Sequence, residues 1–280
     1  MQPAGTPPGP ADGPVPAVDG PVPAVAMRGL GKRYGGTWAV AGIDLDVPAG
    51  SFYGIVGRNG AGKTTTLRML CGLLRPDAGA IRVFGLPVWA DPAPIKERIG
   101  VLPEDGRLLD RLRGRELLHY TGALRGLDRA TVASRAEELL VTLDLLGAAD
   151  GLVIDYSHGM RKKIGLAAAL LHNPELLVLD EPFEAVDPVS ARTIRLVLER
   201  FVAAGRTILF SSHVMATVEA LCDRVAILHE GRVVAAGPLA GVTGGRSLED
   251  TFVAAVGMRD LDATTLGWLG PAPTAPPPTA

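Results

Sequence analysis

Eight consecutive residues, GRNGAGKT at 57–64, carry the most specific chemistry in the chain. They fit a pattern of glycine, four free positions, glycine, lysine and a hydroxyl residue. Gly57, Gly60 and Gly62 allow the main chain to turn its N–H groups onto phosphate oxygens, with Arg58, Asn59 and Ala61 completing the turn. Lys63 supplies a point charge for the β- and γ-phosphates of a nucleotide, and Thr64 offers a hydroxyl to Mg2+. A second constellation is LLVLDEP at 176–182. Asp180 ends an apolar run, where ligands bind in open parallel sheets, and is placed to hold Mg2+. Glu181, one residue further, can act as base toward an attacking water. His213 follows another apolar run, RTILFS at 206–211. If the two runs are neighbouring strands, it lies beside the γ-phosphate as a sensor. Tyr34, ahead of the phosphate loop, is suited to stacking on an adenine ring.

Such residues need a scaffold that brings them together. FYGIV (52–56) is a short apolar run ending at a glycine, a buried strand. Leu67, Leu70, Cys71 and Leu74 recur at helical spacing behind the phosphate loop. Ile43, Leu45 and Val47 alternate with Asp44 and Asp46, a half-buried strand. Residues 175–180 and 206–211 read as buried strands. The helix between them is capped by Asp187, with Pro188 in its first turn, and ends before Gly205. RVAILHEGRVVAAG (224–237) reads as a hairpin, whereas 107–172 has little strand pattern and reads as a helical insertion. Alternating strands and helices predict an α/β fold on a mainly parallel sheet.

Composition narrows the classes. With 280 residues and 47% apolar content, the chain can bury a sizeable core. A net charge of −2 without a basic tract argues against nucleic acid as partner. Cys71 and Cys222 sit far apart in apolar patterns and read as buried free thiols in a reducing compartment. No apolar run approaches the roughly 20 residues needed to span a bilayer, and no signal peptide is evident. Membrane work would require a partner with spanning helices. Residues 1–25, where DGPVPAV occurs twice in tandem, and 270–280 read as Pro-rich disordered tails.

In the order of its motifs, roughly residues 27–237 of the chain resemble the nucleotide-binding domain of the ABC transporter ATPases. Tyr34 matches the adenine-stacking aromatic, Gly57 to Thr65 the phosphate loop, and Leu176 to Glu181 the second nucleotide motif. Tyr156 to Met160 (YSHGM) match the signature, Asp187 in AVDP matches the D-loop, and His213 matches the switch histidine. The resemblance implies a P-loop NTPase core (26–245) with a mainly parallel sheet and a small antiparallel β part. It also implies a helical insertion at about 105–165 and a C-terminal helical extension at 246–269. The implied activity is ATP hydrolysis with Mg2+, powering transport, export rather than import, through a separate polytopic membrane subunit. The implied location is peripheral, on the cytoplasmic face of the cell membrane. The insertion is expected to dock that subunit, with the pairs Leu108–Leu109 and Leu117–Leu118 as apolar material.

Two positions depart from the family pattern. Glu104, in VLPED, stands where a glutamine usually touches Mg2+ and the attacking water. A carboxylate can do both, but adds negative charge near phosphate. In the signature, Ser157 and Gly159 remain, while His158 replaces a glycine and Met160 a glutamine. The resemblance implies that Ser157 and a backbone N–H of Gly159 grip the γ-phosphate bound by a second subunit, a copy of this chain or a paralogue, in a head-to-tail dimer. His158 either pinches the backbone or adds a donor. Ser157 also reads as a helix N-cap, and the two roles are compatible. The alternative function is a non-transport ABC ATPase acting on ribosomes or DNA. Against it, the chain has one nucleotide domain, and the roughly 115 residues between Lys63 and Asp180 carry no sustained heptads.

Overall fold

The computed structural model describes residues 21–104 and 108–257. The expectations for the tail residues 1–20 and 270–280, and for 258–269 of the C-terminal extension, lie outside the described residues.

Two sheets form the core. The first is antiparallel, in the order β2-β1-β4-β5, and contains β1 (Val25–Tyr34), β2 (Thr37–Val47), β4 (Ala78–Val83) and the two-residue β5 (Leu86–Pro87). The second runs β10-β9-β3-β8-β7-β6 and contains β3 (Phe52–Val56), β6 (Ile99–Leu102), β7 (Leu176–Asp180), β8 (Thr207–Ser212), β9 (Arg224–His229) and β10 (Arg232–Pro238). Its strands pair in parallel except for the β9–β10 hairpin. Among the described residues, seven α-helices connect the strands, α1 (Lys63–Leu70), α2 (Ala93–Arg98), α3 (Gly114–Leu124), α4 (Arg129–Thr142), α5 (His158–Leu170), α6 (Pro188–Ala203) and α7 (Met215–Leu221), and two follow the last strand, α8 (Leu239–Thr243) and α9 (Leu248–Val256).

The parallel strands are buried on both faces, which is why they read as continuous apolar runs. The period-2 geometry of a strand then sorts their side chains between two cores. Leu177 and Leu179 of β7, with Ile208 and Phe210 of β8, face the side covered by α3, α4 and α5. Leu176, Val178 and Leu209 face the antiparallel sheet, where they meet Met27, Ile43, Met69 and Ile81. The helices between β6 and β7 are thus held by one face of the same strands whose carboxyl ends carry the site.

Three expectations change. The N-terminal tail does not extend to residue 25. Val25 and Ala24 are fully buried, Val25 pairs with both Val47 and Val83, and the carbonyl of Ala24 accepts from the amide of Phe84 at 2.9 Å. The second copy of DGPVPAV therefore ends inside a sheet, because two neighbouring strands satisfy its backbone groups. Leu117 and Leu118 are buried against α4 and α5, so they contribute packing rather than docking surface, whereas Leu109 is 48% exposed. Finally, β1 breaks its alternation at three register shifts, and β6 is four residues long and follows α2 with no intervening loop. Neither carries the period-2 signal that betrays a strand.

Candidate active site

The turn from β3 to α1 places residues 57–65 at the carboxyl end of the parallel sheet. Gly62 adopts φ +102, and a Cβ there would stand 2.5 Å from the carbonyl oxygen of Ala39, so only glycine fits. A Cβ at Gly57 would meet the carbonyl of Leu228 at the same distance. No side chain caps α1, which leaves its first N–H groups for a ligand. The Lys63 side chain is 6% exposed and folds back across the loop, donating to the carbonyl of Gly57 at 2.8 Å. Its ammonium stands 3.4 Å from Oε1 of Glu181.

Asp180 and Glu181 arrive from β7, whose neighbour β8 brings Ser211 into register with Asp180. The Ser211 hydroxyl donates to Asp180 and accepts the amide N–H of Glu181 at 3.1 Å. Burial raises the Asp180 carboxyl above its ordinary range; the Ser211 and Thr64 hydroxyls pull it back, while the charges of Glu104 and Glu181 push it further up. A divalent cation at this carboxylate would reverse that balance. Glu181 has φ +48, a left-handed conformation that costs a non-glycine residue about 1 kcal/mol. Its Oε2 lies 3.1 Å from Nδ1 of His213 and accepts the His213 amide at 3.4 Å. Its Oε1 is buried with no hydrogen-bond partner; the approach of Lys63 is electrostatic rather than a formed hydrogen bond.

Glu104 follows β6 and accepts from the Thr64 hydroxyl at 3.2 Å. Tyr34 is the last residue of β1 and is half exposed. With the phosphate loop, Glu104 and Glu181, it lines a cleft of about 360 Å³. Among the described residues no group of three or more His, Cys, Asp or Glu side chains is arranged to hold a metal ion on its own. The available donor set is the Thr64 hydroxyl with the Asp180 and Glu104 carboxylates. Such a set suits Mg2+, which takes one or two protein oxygens and fills its shell with phosphate and water.

The structure therefore brings Tyr34, Gly57 to Thr65, Glu104, Asp180, Glu181 and His213 to one end of the sheet. Ser157, Gly159 and Asp187 form a separate cluster and do not line that cleft. Ser157 caps α5, its hydroxyl accepting from the amide of Met160 at 3.3 Å. Asp187 caps α6 through the amides of Val189 and Ser190, at 3.0 and 2.9 Å. The two helix starts abut: a Cβ on Gly159 would touch a carboxylate oxygen of Asp187 and the Ser190 hydroxyl, both at 2.9 Å. Both cysteines are buried free thiols, and burial beside Asp180 pushes Cys71 up to about 12.

Sequence reasoning missed Ser211 and Lys162. The position of Ser211 at the end of an apolar strand, two residues before His213, was a usable signal. For Lys162 there was none. Arg161, Lys162 and Lys163 are consecutive cations, and only packing selects which one turns inward.

A family profile described as ABC transporter matches residues 40–184. The chain is 43% identical over 213 residues to the daunorubicin/doxorubicin resistance ATP-binding protein DrrA of Streptomyces peucetius, covering 76% of this chain and 64% of that protein. It is 39% identical over 213 residues to the Nod factor export ATP-binding protein I of Burkholderia lata, covering 76% of this chain and 70% of that protein. The chain thus spans just under two thirds of the length of the first of these relatives. A solved ATP-binding subunit of an ABC transporter superposes with a TM-score of 0.78 at 30% identity, over 83% of this chain and 99% of that one.

Proposed function

Since the chain belongs to the ABC transporter family of ATP-binding proteins, we propose that it binds and hydrolyses ATP to power export through a separate membrane subunit. The observation that carries this reading is the convergence of Lys63, Asp180, Glu181 and His213 at one end of the parallel sheet, beside a glycine-built phosphate loop. Lys63 and the loop amides hold the phosphates. Glu181 takes the proton of the attacking water on its open Oε1, and His213 fixes the other carboxylate oxygen. Thr64 and Asp180, with Glu104 beside them, hold Mg2+, which when bound neutralises charge on the phosphate oxygens. Tyr34 stacks on the adenine.

The separation of Ser157, Gly159 and Asp187 from their own chain's cleft supports a head-to-tail dimer. There the start of α5 in one chain meets the γ-phosphate held by the other, a copy or a paralogue. The membrane subunit supplies the spanning helices, since no helix among the described residues is long and apolar enough to cross a membrane. It docks on the helical insertion at the cytoplasmic face, beside an open groove of about 450 Å³ to which the insertion contributes Leu124 and Arg125. Export is supported by the relatives named for resistance and for export. The substrate is chosen by the membrane subunit.

The test is Glu181→Gln, which keeps shape but cannot take the proton. Hydrolysis falls 10²–10⁴-fold while ATP affinity stays within about threefold of wild type. Wild-type hydrolysis in this variant would remove Glu181 from the role of base.

A further inference from the structure

We propose that Lys162 is a positioning residue that ties the signature helix to the main chain of the general base and of the Glu104 loop. Lys162 lies on α5, five residues after Ser157, and only 3% of it is exposed. Its two flanking cations are satisfied away from the site: Arg161 reaches Asp110 at 2.6 Å, and Lys163 donates to the carbonyl of Asp144 at 3.2 Å. Lys162 alone points at the sheet end. Its ammonium donates to the main-chain carbonyl of Glu181 at 3.0 Å and to that of Glu104 at 3.1 Å.

These two carbonyls belong to the residues that flank the cleft from β7 and from β6. Glu181 sits in the left-handed region, a conformation that its neighbours must enforce. Its amide is fixed by Ser211, and its carbonyl is fixed by Lys162 and by the amide of Glu184 at 3.3 Å. Burial pulls the Lys162 pKa down, and the carboxylates of Glu184, Asp180, Glu104 and Glu181 act in the opposite direction. Both hydrogen bonds lie in a buried setting, where losing the donor would leave two main-chain carbonyls short of a partner. One ammonium therefore fixes the angle of α5 against the catalytic strand end and the orientation from which the Glu181 carboxylate addresses water. On the dimer reading above, on which this consequence rests, the same short helix carries Ser157 at its start. Engagement of the partner's nucleotide is then transmitted to the chain's own base through a single side chain one and a half turns away.

The experiment is a double-mutant cycle on the full chain, reading phosphate release and ATP affinity separately. Lys162→Met keeps the length and burial of the side chain without the donors. We expect kcat to fall 10–100-fold, because a displacement of the base by about 1 Å has that effect, while KM and ATP affinity change less than about threefold. Lys162→Gln, which keeps one donor head, should recover at least a threefold part of the loss. In a Glu181→Gln background Lys162→Met should lower the residual rate less than about twofold, since no base remains to be positioned. Three results would overturn the proposal: wild-type kcat in Lys162→Met, the same fold loss with and without Glu181, or a loss confined to ATP affinity. If Lys162→Met does not fold, judged by thermal melting, the cycle with Lys162→Gln decides by the same criteria. Equal hydrolysis by wild type and Glu181→Gln would instead strike the functional reading itself, and with it any base for Lys162 to position.

Discussion

Glu104 is the residue whose chemistry departs most from what its position would ordinarily hold. Its carboxylate accepts from the Thr64 hydroxyl at the mouth of the cleft and adds a negative charge beside Asp180 and Glu181. A glutamine there would accept the same hydrogen bond without the charge. Removing one like charge near the phosphates is worth about 0.5–1 kcal/mol at the effective dielectric of a partly open site. Glu104→Gln should therefore bind ATP two- to fivefold more tightly, by equilibrium titration, with the gain shrinking at high salt. Weaker binding in that variant would mean that the carboxylate is a net ligand for the cation. At this scale the sequence was legible wherever the chemistry is local. The phosphate loop, Asp180, Glu181 and His213 are all specified by short spacings next to apolar strands. Lys162 and Ser211 were not, because their roles exist only once α5 and β8 are packed against β7.

At the scale of elements, the start of α5 has an observed role and a proposed one, and a single substitution can separate them. Ser157 caps the helix, and it is the residue proposed to meet a second chain's γ-phosphate. Serine and aspartate cap about equally well, whereas alanine at an N-cap costs about 1 kcal/mol. Ser157→Ala should lower the melting temperature by about 2–4 °C, and Ser157→Asp should not, as followed by calorimetry. A drop of that size in Ser157→Asp would show that the hydroxyl is needed for more than its lone pairs. Element boundaries show how pattern reading succeeds and fails. The fully buried strands β3, β7 and β8 announced themselves as apolar runs because parallel strands are covered on both faces. β1 hid behind glycines, register shifts and a Pro-rich repeat, and β6 behind its brevity.

Over the whole molecule, the helices of the insertion and the strands of the parallel sheet meet at a junction where they share one hydrophobic core. The sheet edge near that junction is braced by Arg98, whose guanidinium makes two hydrogen bonds to Glu175, at 2.6 and 2.8 Å, and stacks 4.2 Å over the ring of Phe84. The Arg98 partnership holds the Glu175 carboxyl below its ordinary value of 4.5. A depressed carboxylate stabilises the fold above that value and loses its contribution as pH falls through the lower folded value. Because the pair is partly in water, the contribution is about 0.5–1 kcal/mol. Glu175→Gln should melt lower than wild type at pH 7, and the two should converge as pH is lowered below 4.5. A gap that persists undiminished in acid would locate the effect in packing instead. The fold class followed from the alternation of elements, whereas the division of the nucleotide site between two chains rested on family resemblance. The starts of α5 and α6 abut outside the cleft of their own chain, which supports that proposal.

That division is the central claim, and sedimentation velocity of Glu181→Gln with and without ATP tests it most directly. In that background ATP persists and should drive the chain from monomer to dimer. Adding Ser157→Asp keeps the helix cap and the Tyr34–Lys63 nucleotide site but sets a carboxylate against the γ-phosphate of the other chain. The account predicts ATP binding within about threefold of the parent and loss of the dimer, since like charges at a buried contact oppose association. Dimerisation by the double variant as strong as by Glu181→Gln alone would contradict it, and YSHGM would be a helix start and nothing more.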